Sequence, residues 1–272
     1  VLYITWNNPA QMNPVTPGVK QDLVQCLVSC ERESDVRAIV LRGAGGNFTA
    51  GGNVKGMKER LDKGINTTKS GIRSGGEFIM RLKTISKPTI AWIEGAVAGV
   101  GMSMAMACDF SIAEETAKMV FAFVNIGFVP DGGVAYMLSK AVGPARATEL
   151  LMSGKRFSGA QAKEWGIITE AVPKEQLEET VQKYIKKYAQ GPSVAYAQIK
   201  RLLLSVNYCC DTAGNVSCTP YYYGEEAYQE EAPEVLFYTV SAVYTSPWRT
   251  AMDELREVYI LTLLLSACLG GL

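Results

Sequence analysis

The sequence predicts an α/β protein: a mostly parallel sheet covered by helices, followed by a helical C-terminal region. Three observations carry this. Short, largely apolar segments such as VRAIVL (Val36–Leu41) and TIAWI (Thr89–Ile93) read as strands buried on both faces. Helical patterns alternate with them, and that alternation requires crossovers between parallel strands. Glycine-rich stretches, GAGGNFTAGG at 43–52 and the turn at Gly95–Gly101, carry the chain from strand to helix. At 272 residues and 48% apolar composition, the chain is long enough to bury one large core.

Taken in order, Val1–Asn7 reads as a strand ended by Asn7-Asn8-Pro9. Thr16-Pro17 opens a helix as N-cap and first-turn proline, with Val19, Leu23, Leu27 and Cys30 on one face. Val36–Leu41 is a strand, and the glycine-rich loop to Gly52 follows it. Val54–Leu61 is a short helix. Thr67–Lys83 is a second, weakened by Gly71, Gly75 and Gly76. Thr89–Ile93 is the next strand, and it delivers the Gly95–Gly101 turn. Met102–Ala107 is a small helix of tightly packing residues, and Asp109–Ala113 and Met119–Phe121 continue the strands. Helices follow at Gly133–Ala141, Ala145–Met152 and Gly159–Trp165, the last closed by Gly166. Ile167–Val172 is one more strand. Pro173–Ala189 and Ser193–Leu204 are amphipathic helices parted by Gly191-Pro192. From about Asn207 the pattern changes: NYCCDTAGNVSCTPYYYGEEAYQEEAPE has no clear period. The domain expectation is a core at 1–190 and a helical C-terminal region at 191–272, atypical from about 207.

Composition excludes several classes. Net charge is zero and pI is near 6.6, so no basic field attracts nucleic acid. The N-terminus reads as a strand and not as a signal segment. The apolar end, Tyr259–Leu272, is about 14 residues against the roughly 20 of a spanning helix, so no membrane partner is expected. Seven cysteines at irregular spacing, without CxxC, fit reduced thiols in a cytoplasmic setting. There is no histidine, which removes Ser-His-Asp and Cys-His catalysis and every His-based metal site. No carboxylate cluster has metal spacing, so no metal is expected.

The chemistry concentrates between Ile93 and Gly133. Gly99-Val100-Gly101 runs straight into a helix, and main-chain N–H groups at such a turn bind developing negative charge, aided by the helix dipole. Val120–Val124 is apolar. Val129-Pro130-Asp131-Gly132-Gly133 then places one carboxylate at the mouth of an apolar pocket. An anion hole, an apolar slot and one acid are the parts needed to move a proton beside a carbonyl. Local sequence supports plainer readings too. Asp131 is a good N-cap for the helix after it, and the two glycine turns are ordinary strand-to-helix connections.

Three motifs in order, VRAIVLRGAGGNFTAGGNVKGM (36–57), IEGAVAGVGMSMAMACDFSIA (93–113) and the run from Ile126 to Val172, resemble the enoyl-CoA hydratase/isomerase (crotonase) superfamily over roughly residues 1–205. The resemblance implies a spiral of ββα units with a helical C-terminal region that closes subunit contacts, in homotrimers or hexamers. It implies acyl-CoA substrates, with coenzyme A part of the substrate and no separate cofactor. Two main-chain amides, those of Gly52 and Val100, would hold the thioester oxygen. Ala50, Asn53, Val54 and Lys55 would line the coenzyme A, and Val100, where a smaller residue is usual, would narrow the slot.

The departures from the family pattern narrow the activity. Typical hydratases of the family carry two glutamates, and here Ser103 and Phe123 stand at those positions. Asp131 resembles the single aspartate of members that shift double bonds, a reaction for which one acid/base suffices. Phe121, Phe123, Phe128 and Val129 would desolvate it and raise its pKa. Ser103 reads as packing, with no base in view, and Glu94, Glu149 and Lys55 read as structural or solvated. The expected function is an enoyl-CoA isomerase. The alternatives are a hydratase or thioester hydrolase using another acid, and an acyl-CoA-binding protein without turnover. For the tail, a divergent insertion and a frameshifted reading both remain open.

Overall fold

The computed structural model describes residues 1–64 and 69–208. The chain opens with strand β1 (Leu2–Trp6) and helix α1 (Pro17–Arg32), whose Thr16 N-cap accepts a hydrogen bond from the Val19 N–H. Strand β2 (Ile39–Gly43) leads through the glycine-rich loop to α2 (Val54–Asp62) and α3 (Lys69–Thr84). Strand β3 (Thr89–Ile93) is followed at once by a short strand β4 (Ala96–Ala98) and helix α4 (Val100–Ala107). Then come β5 (Phe110–Glu114), β6 (Lys118–Val120), α5 (Val134–Ser153), β7 (Arg156–Ser158), α6 (Gly159–Glu164), β8 (Glu170–Val172), α7 (Lys174–Gln190) and α8 (Ser193–Tyr208).

The main sheet has the order β1-β2-β3-β5-β8, and every pairing in it is parallel. A smaller sheet of β4, β6 and β7 lies in the order β4-β6-β7. Two windings of the chain, β3-β4-α4 and β5-β6-α5, each give one strand to the large sheet and one to the small sheet before a helix closes them. β3, β4 and α4 show this unit most compactly.

Alternation along the central strands builds two cores. Ile39, Leu41, Ala91, Ile93 and Ala113 face the larger core, whereas Val40, Ile90, Trp92 and Ile112 face the smaller one. Successive strand residues point to opposite faces, so strands apolar at every position serve a sheet covered on both sides. The second face is covered by α7, whose Leu177, Val181 and Ile185 recur at helical spacing. Each such side chain, once buried, contributes roughly 1.5–3 kcal/mol.

Several expected elements differ in extent. The strand expected at Val36–Leu41 begins at Ile39, and that expected at Ile167–Val172 is confined to Glu170–Val172. The Gly95–Gly101 turn contains β4, a strand too short for periodicity to reveal. The two helices expected on either side of Val142-Gly143-Pro144 are both present within α5, parted where Gly143 leaves helical geometry at φ 76° and ψ 164° ahead of Pro144. Cys26, Cys30 and Cys108 are free thiols, and burial raises the Cys108 pKa to about 12. No described helix is long and apolar enough to cross a membrane. Val1–Lys200 forms one compact unit and a second begins at Arg201. The tail expected to turn irregular from about 207 begins inside α8, and its residues from 209 on, with the apolar end Tyr259–Leu272, lie outside the described residues.

Candidate active site

The site is built where two strand-to-helix connections meet. Thr49, in the loop after β2, bridges Val97 of β4: its N–H donates to the Ala96 carbonyl at 3.1 Å, and its own carbonyl accepts from the Ala98 N–H at 3.0 Å. Two residues on, Gly51 (φ +89°) lies against the main chain of Ala98 and Gly99; a Cβ there would stand 2.5 Å from the Ala98 oxygen. Gly101 is pressed against Thr49 in turn, since its Cβ would lie 2.5 Å from the Thr49 Cγ2. The two glycine turns therefore interlock, main chain on main chain at Gly51 and main chain on the Thr49 methyl at Gly101, an approach that no side chain larger than hydrogen permits.

Polar groups fix the first loop. The fully buried Thr49 donates its hydroxyl to the Asn13 carbonyl at 2.6 Å and accepts from the Gly51 N–H at 3.0 Å. Asn13 is buried at positive φ and donates to the carbonyls of Ala44 and Asn47 at 2.9 and 2.8 Å. The next residue, Gly52, is half-buried, and its N–H has no intramolecular acceptor among the described residues. The same holds for Val100, the first residue of α4, where an N–H has no carbonyl one turn back to receive it. The Val100 side chain packs into the main core.

The third component comes from the turn before α5. Asp131 and Gly132 sit on α4 one turn beyond Val100. The hydroxyl of the fully buried Ser103 donates to the Asp131 main-chain carbonyl at 3.2 Å, and the position of a Gly132 Cβ is 3.2 Å from the Ser103 Cβ. Burial of its surroundings raises the Asp131 carboxyl pKa above the usual aspartate value, while the field of Lys20 and the residue's own N–H act in the opposite direction. The residue nonetheless remains exposed by area, so desolvation reaches it from one side only.

The expected aromatic enclosure is therefore incomplete. Phe121 and Phe123 are buried, but Phe128 and Val129 are exposed, at 49% and 72%. They lie in the loop after a single 3-10 turn, Val124–Ile126, which ends in a left-handed Gly127. Asp131 is not the N-cap of α5: that position belongs to Gly133, although the Asp131 carbonyl accepts from Val134 N–H at 3.3 Å.

Of the residues expected to line coenzyme A, Ala50, Val54 and Lys55 are exposed and Asn53 is half-buried. They follow one another from the Gly52 turn into α2. The Asn53 Oδ1 accepts from the Gly56 N–H at 3.0 Å, which gives Asn53 a capping role besides any ligand contact. Glu149 pairs with Lys155 on the surface, away from this turn system. Among the described residues no group of three or more His, Cys, Asp or Glu side chains is placed to hold a metal.

Asn13, Thr49 and Lys20 were not among the residues singled out from the sequence. The Met12-Asn13-Pro14 segment carries a local signal, because asparagine before proline favours a turn. Thr49 and Lys20 carry none, since each acts on a partner distant in sequence.

A spiral of strand–strand–helix turns, with interlocked amide-bearing turns at its centre, is the architecture of a class of α/β enzymes. Comparison with known proteins specifies the class. The family model described as enoyl-CoA hydratase/isomerase matches residues 1–206, and the chain belongs to that family. It is 33% identical over 210 residues to the 1,2-epoxyphenylacetyl-CoA isomerase of Escherichia coli, covering 75% of this chain and 79% of that protein. It is 28% identical to the trans-2-decenoyl-acyl-carrier-protein isomerase of Streptococcus mutans, covering 75% and 78% of the two. An enoyl-CoA hydratase structure from Polaromonas sp. superposes with a TM-score of 0.72 at 28% identity, covering 76% of this chain and 81% of that one. The spiral ββα fold expected from the sequence is the fold of these relatives.

Proposed function

We propose that the protein is an acyl-CoA double-bond isomerase. The amides of Gly52 and Val100 bind the thioester oxygen of an enoyl-CoA as it gains charge. Asp131 removes a proton from one carbon beside the carbonyl system and returns it to another, through a dienolate. Coenzyme A enters as part of the substrate, and the Ala50–Lys55 segment, leading away from Gly52, lies along its path. The observation that carries this reading is the Ser103–Asp131 hydrogen bond. It ties the main chain of Asp131, a residue whose carboxyl pKa is raised, to α4 one helical turn from a free amide at the N-terminus of that helix. A free amide at a helix start stabilises an oxyanion, and a carboxyl of raised pKa is the stronger base. Removing one preorganised donor lowers rates by on the order of 10²–10³ where tested in another enzyme.

The experiment is to assay the purified protein with a 3-enoyl-CoA, and with a 2-enoyl-CoA in labelled water. Isomerisation that collapses in Asp131→Asn supports the reading. Isomerisation left undiminished in that variant ends it. A second reading, hydration or thioester hydrolysis, draws support from the exposure of Asp131, which gives water access to the acid. It predicts solvent oxygen in the product, with little isomerised enoyl-CoA.

A further inference from the structure

Helix α4, VGMSMAMA, is buried along almost its whole length and contains one polar side chain, Ser103. A hydroxyl in such a helix ordinarily bonds a carbonyl of its own preceding turn. Here it reaches 28 residues along the chain, to the main-chain carbonyl of Asp131. That carbonyl also accepts from the Val134 N–H in the first turn of α5. It is therefore the point at which α4 and α5 are joined. Beside it, Gly132 (φ +61°) permits the contact: a Cβ there would lie 3.0 Å from the Ile79 Cγ1 and 3.2 Å from the Ser103 Cβ. On the other side, Val100 precedes Ser103 by three residues, so the two share a face of α4 about 4.5 Å apart along the axis.

We propose that Ser103 is a positioning residue. Its hydroxyl holds the Asp131 turn in fixed register with the amide donor at the start of α4, and so sets the reach from the acid to a substrate carbon. This rests on the isomerase reading, and it assigns a task to a residue whose burial alone would mark it as packing. Ser103 touches no reacting atom; it acts through the main chain of Asp131. The bond adds a directed polar tie between two helices that already pack in one core. Without it the Asp131 carbonyl keeps the Val134 N–H of α5 as its donor, on a residue already open to solvent.

Misplacing a catalytic group by about 1 Å costs as much as 10²-fold in rate. Ser103→Ala is therefore expected to lower kcat for 3-enoyl-CoA isomerisation by about 10–100-fold, leaving KM within about twofold. The acid limb of the kcat/KM profile should also move toward the ordinary aspartate range, because a loosened carboxyl is better solvated. Ser103→Cys keeps the size and only a weak donor, so it should fall between wild type and Ser103→Ala. It decides the matter if the alanine variant does not fold. Wild-type kcat and an unmoved acid limb in the folded Ser103→Ala protein, or wild-type kcat in Ser103→Cys, would show a packing role only and overturn the proposal. Asp131→Asn is measured alongside. Its loss of activity together with a wild-type Ser103→Ala sinks the positioning role alone. Undiminished activity in Asp131→Asn sinks the isomerase reading and the positioning role with it.

Discussion

Replacing Gly51 by alanine tests whether the interlocked turns make the amide site. Gly51 has φ +89°, and an added Cβ would meet the Ala98 oxygen at 2.5 Å and the Ala98 carbon at 3.2 Å. The first term is backbone strain, about 1–2 kcal/mol for a side chain forced into positive φ. The second is steric: ordinary contact begins near 3.4 Å, so the Ala98 main chain or the Thr49–Gly52 loop must yield by close to an ångström. Neither partner is a flexible side-chain tip. The shift falls on the residues directly before Gly52 and Val100. Displacement on that scale costs about 10²-fold in rate, comparable to losing one donor. The expected outcome is a kcat for enoyl-CoA isomerisation lowered about 100-fold. A loss of roughly 2–3 kcal/mol in stability should accompany it, seen as a lower midpoint in thermal or urea unfolding followed by circular dichroism. Gly46→Ala is the control, since Gly46 shares the loop and a positive φ of +72° but has nothing within 4 Å of an added Cβ. It should lose about 1 kcal/mol and keep kcat within twofold. A folded Gly51→Ala protein turning over at the wild-type rate would show that the Gly51 contact does not set the geometry of the reaction.

Two further outcomes follow from the ionisable groups. Because the Asp131 pKa is raised in the folded state, the unfolded chain releases this proton first as pH rises; the ionised carboxyl then opposes folding above its folded pKa, and the opposition vanishes below the ordinary aspartate value. Asp131→Asn should therefore be more stable than wild type at neutral pH, with the gain shrinking as pH falls through the folded pKa, read from urea midpoints; a gain that grows toward acid would contradict the sign of the shift. Lys200 donates to Asp109 at 2.7 Å and to the Lys87 carbonyl at 2.9 Å, with the two side chains 9% and 18% exposed. Lys200→Met strands the Asp109 carboxylate, which keeps only the Thr89 N–H and hydroxyl as donors. The expected loss is about 3 kcal/mol, the lower end for a broken buried pair, with most of it recovered in the double variant with Asp109→Asn, and a loss below about 1 kcal/mol would show the pair to be solvated.

The large sheet was legible because its physics is local. Apolar runs such as TIAWI mark strands buried on both faces, and the structure places Thr89–Ile93 as expected, residue for residue. The Thr16-Pro17 helix start was equally legible, since a cap and a first-turn proline act within one turn of the chain. The glycine turns around Gly52 and Val100 were legible as turns, since glycine punctuates the chain locally. The small sheet was hidden because its three-residue strands are shorter than a period can register. Most hidden were Asn13, Thr49 and the hydroxyl of Ser103. Each bonds a carbonyl between 28 and 36 residues away, so its partner exists only once the spiral has closed. The aromatic wall around Asp131 was overread for the opposite reason. Phe128 and Val129 are apolar neighbours in sequence, but the left-handed Gly127 that ends the short 3-10 turn carries them to the surface.

That partial opening constrains how the site can use its one acid. A carboxyl fully enclosed by apolar groups would have a higher pKa but would depend on enclosed partners for orientation. Asp131 instead has its main-chain carbonyl held by the Ser103 hydroxyl on α4 and the Val134 N–H on α5, while desolvation from one side raises its pKa and Lys20 moderates the rise. On the isomerase reading, a raised basicity and continued access for the substrate would be obtained together. On that reading, an acyl chain arriving from the open side would complete the desolvation. On this view the exposed Phe128 and Val129 are not a failed wall. They are exposed apolar surface two and three residues before Asp131, which on the isomerase reading an acyl group would cover.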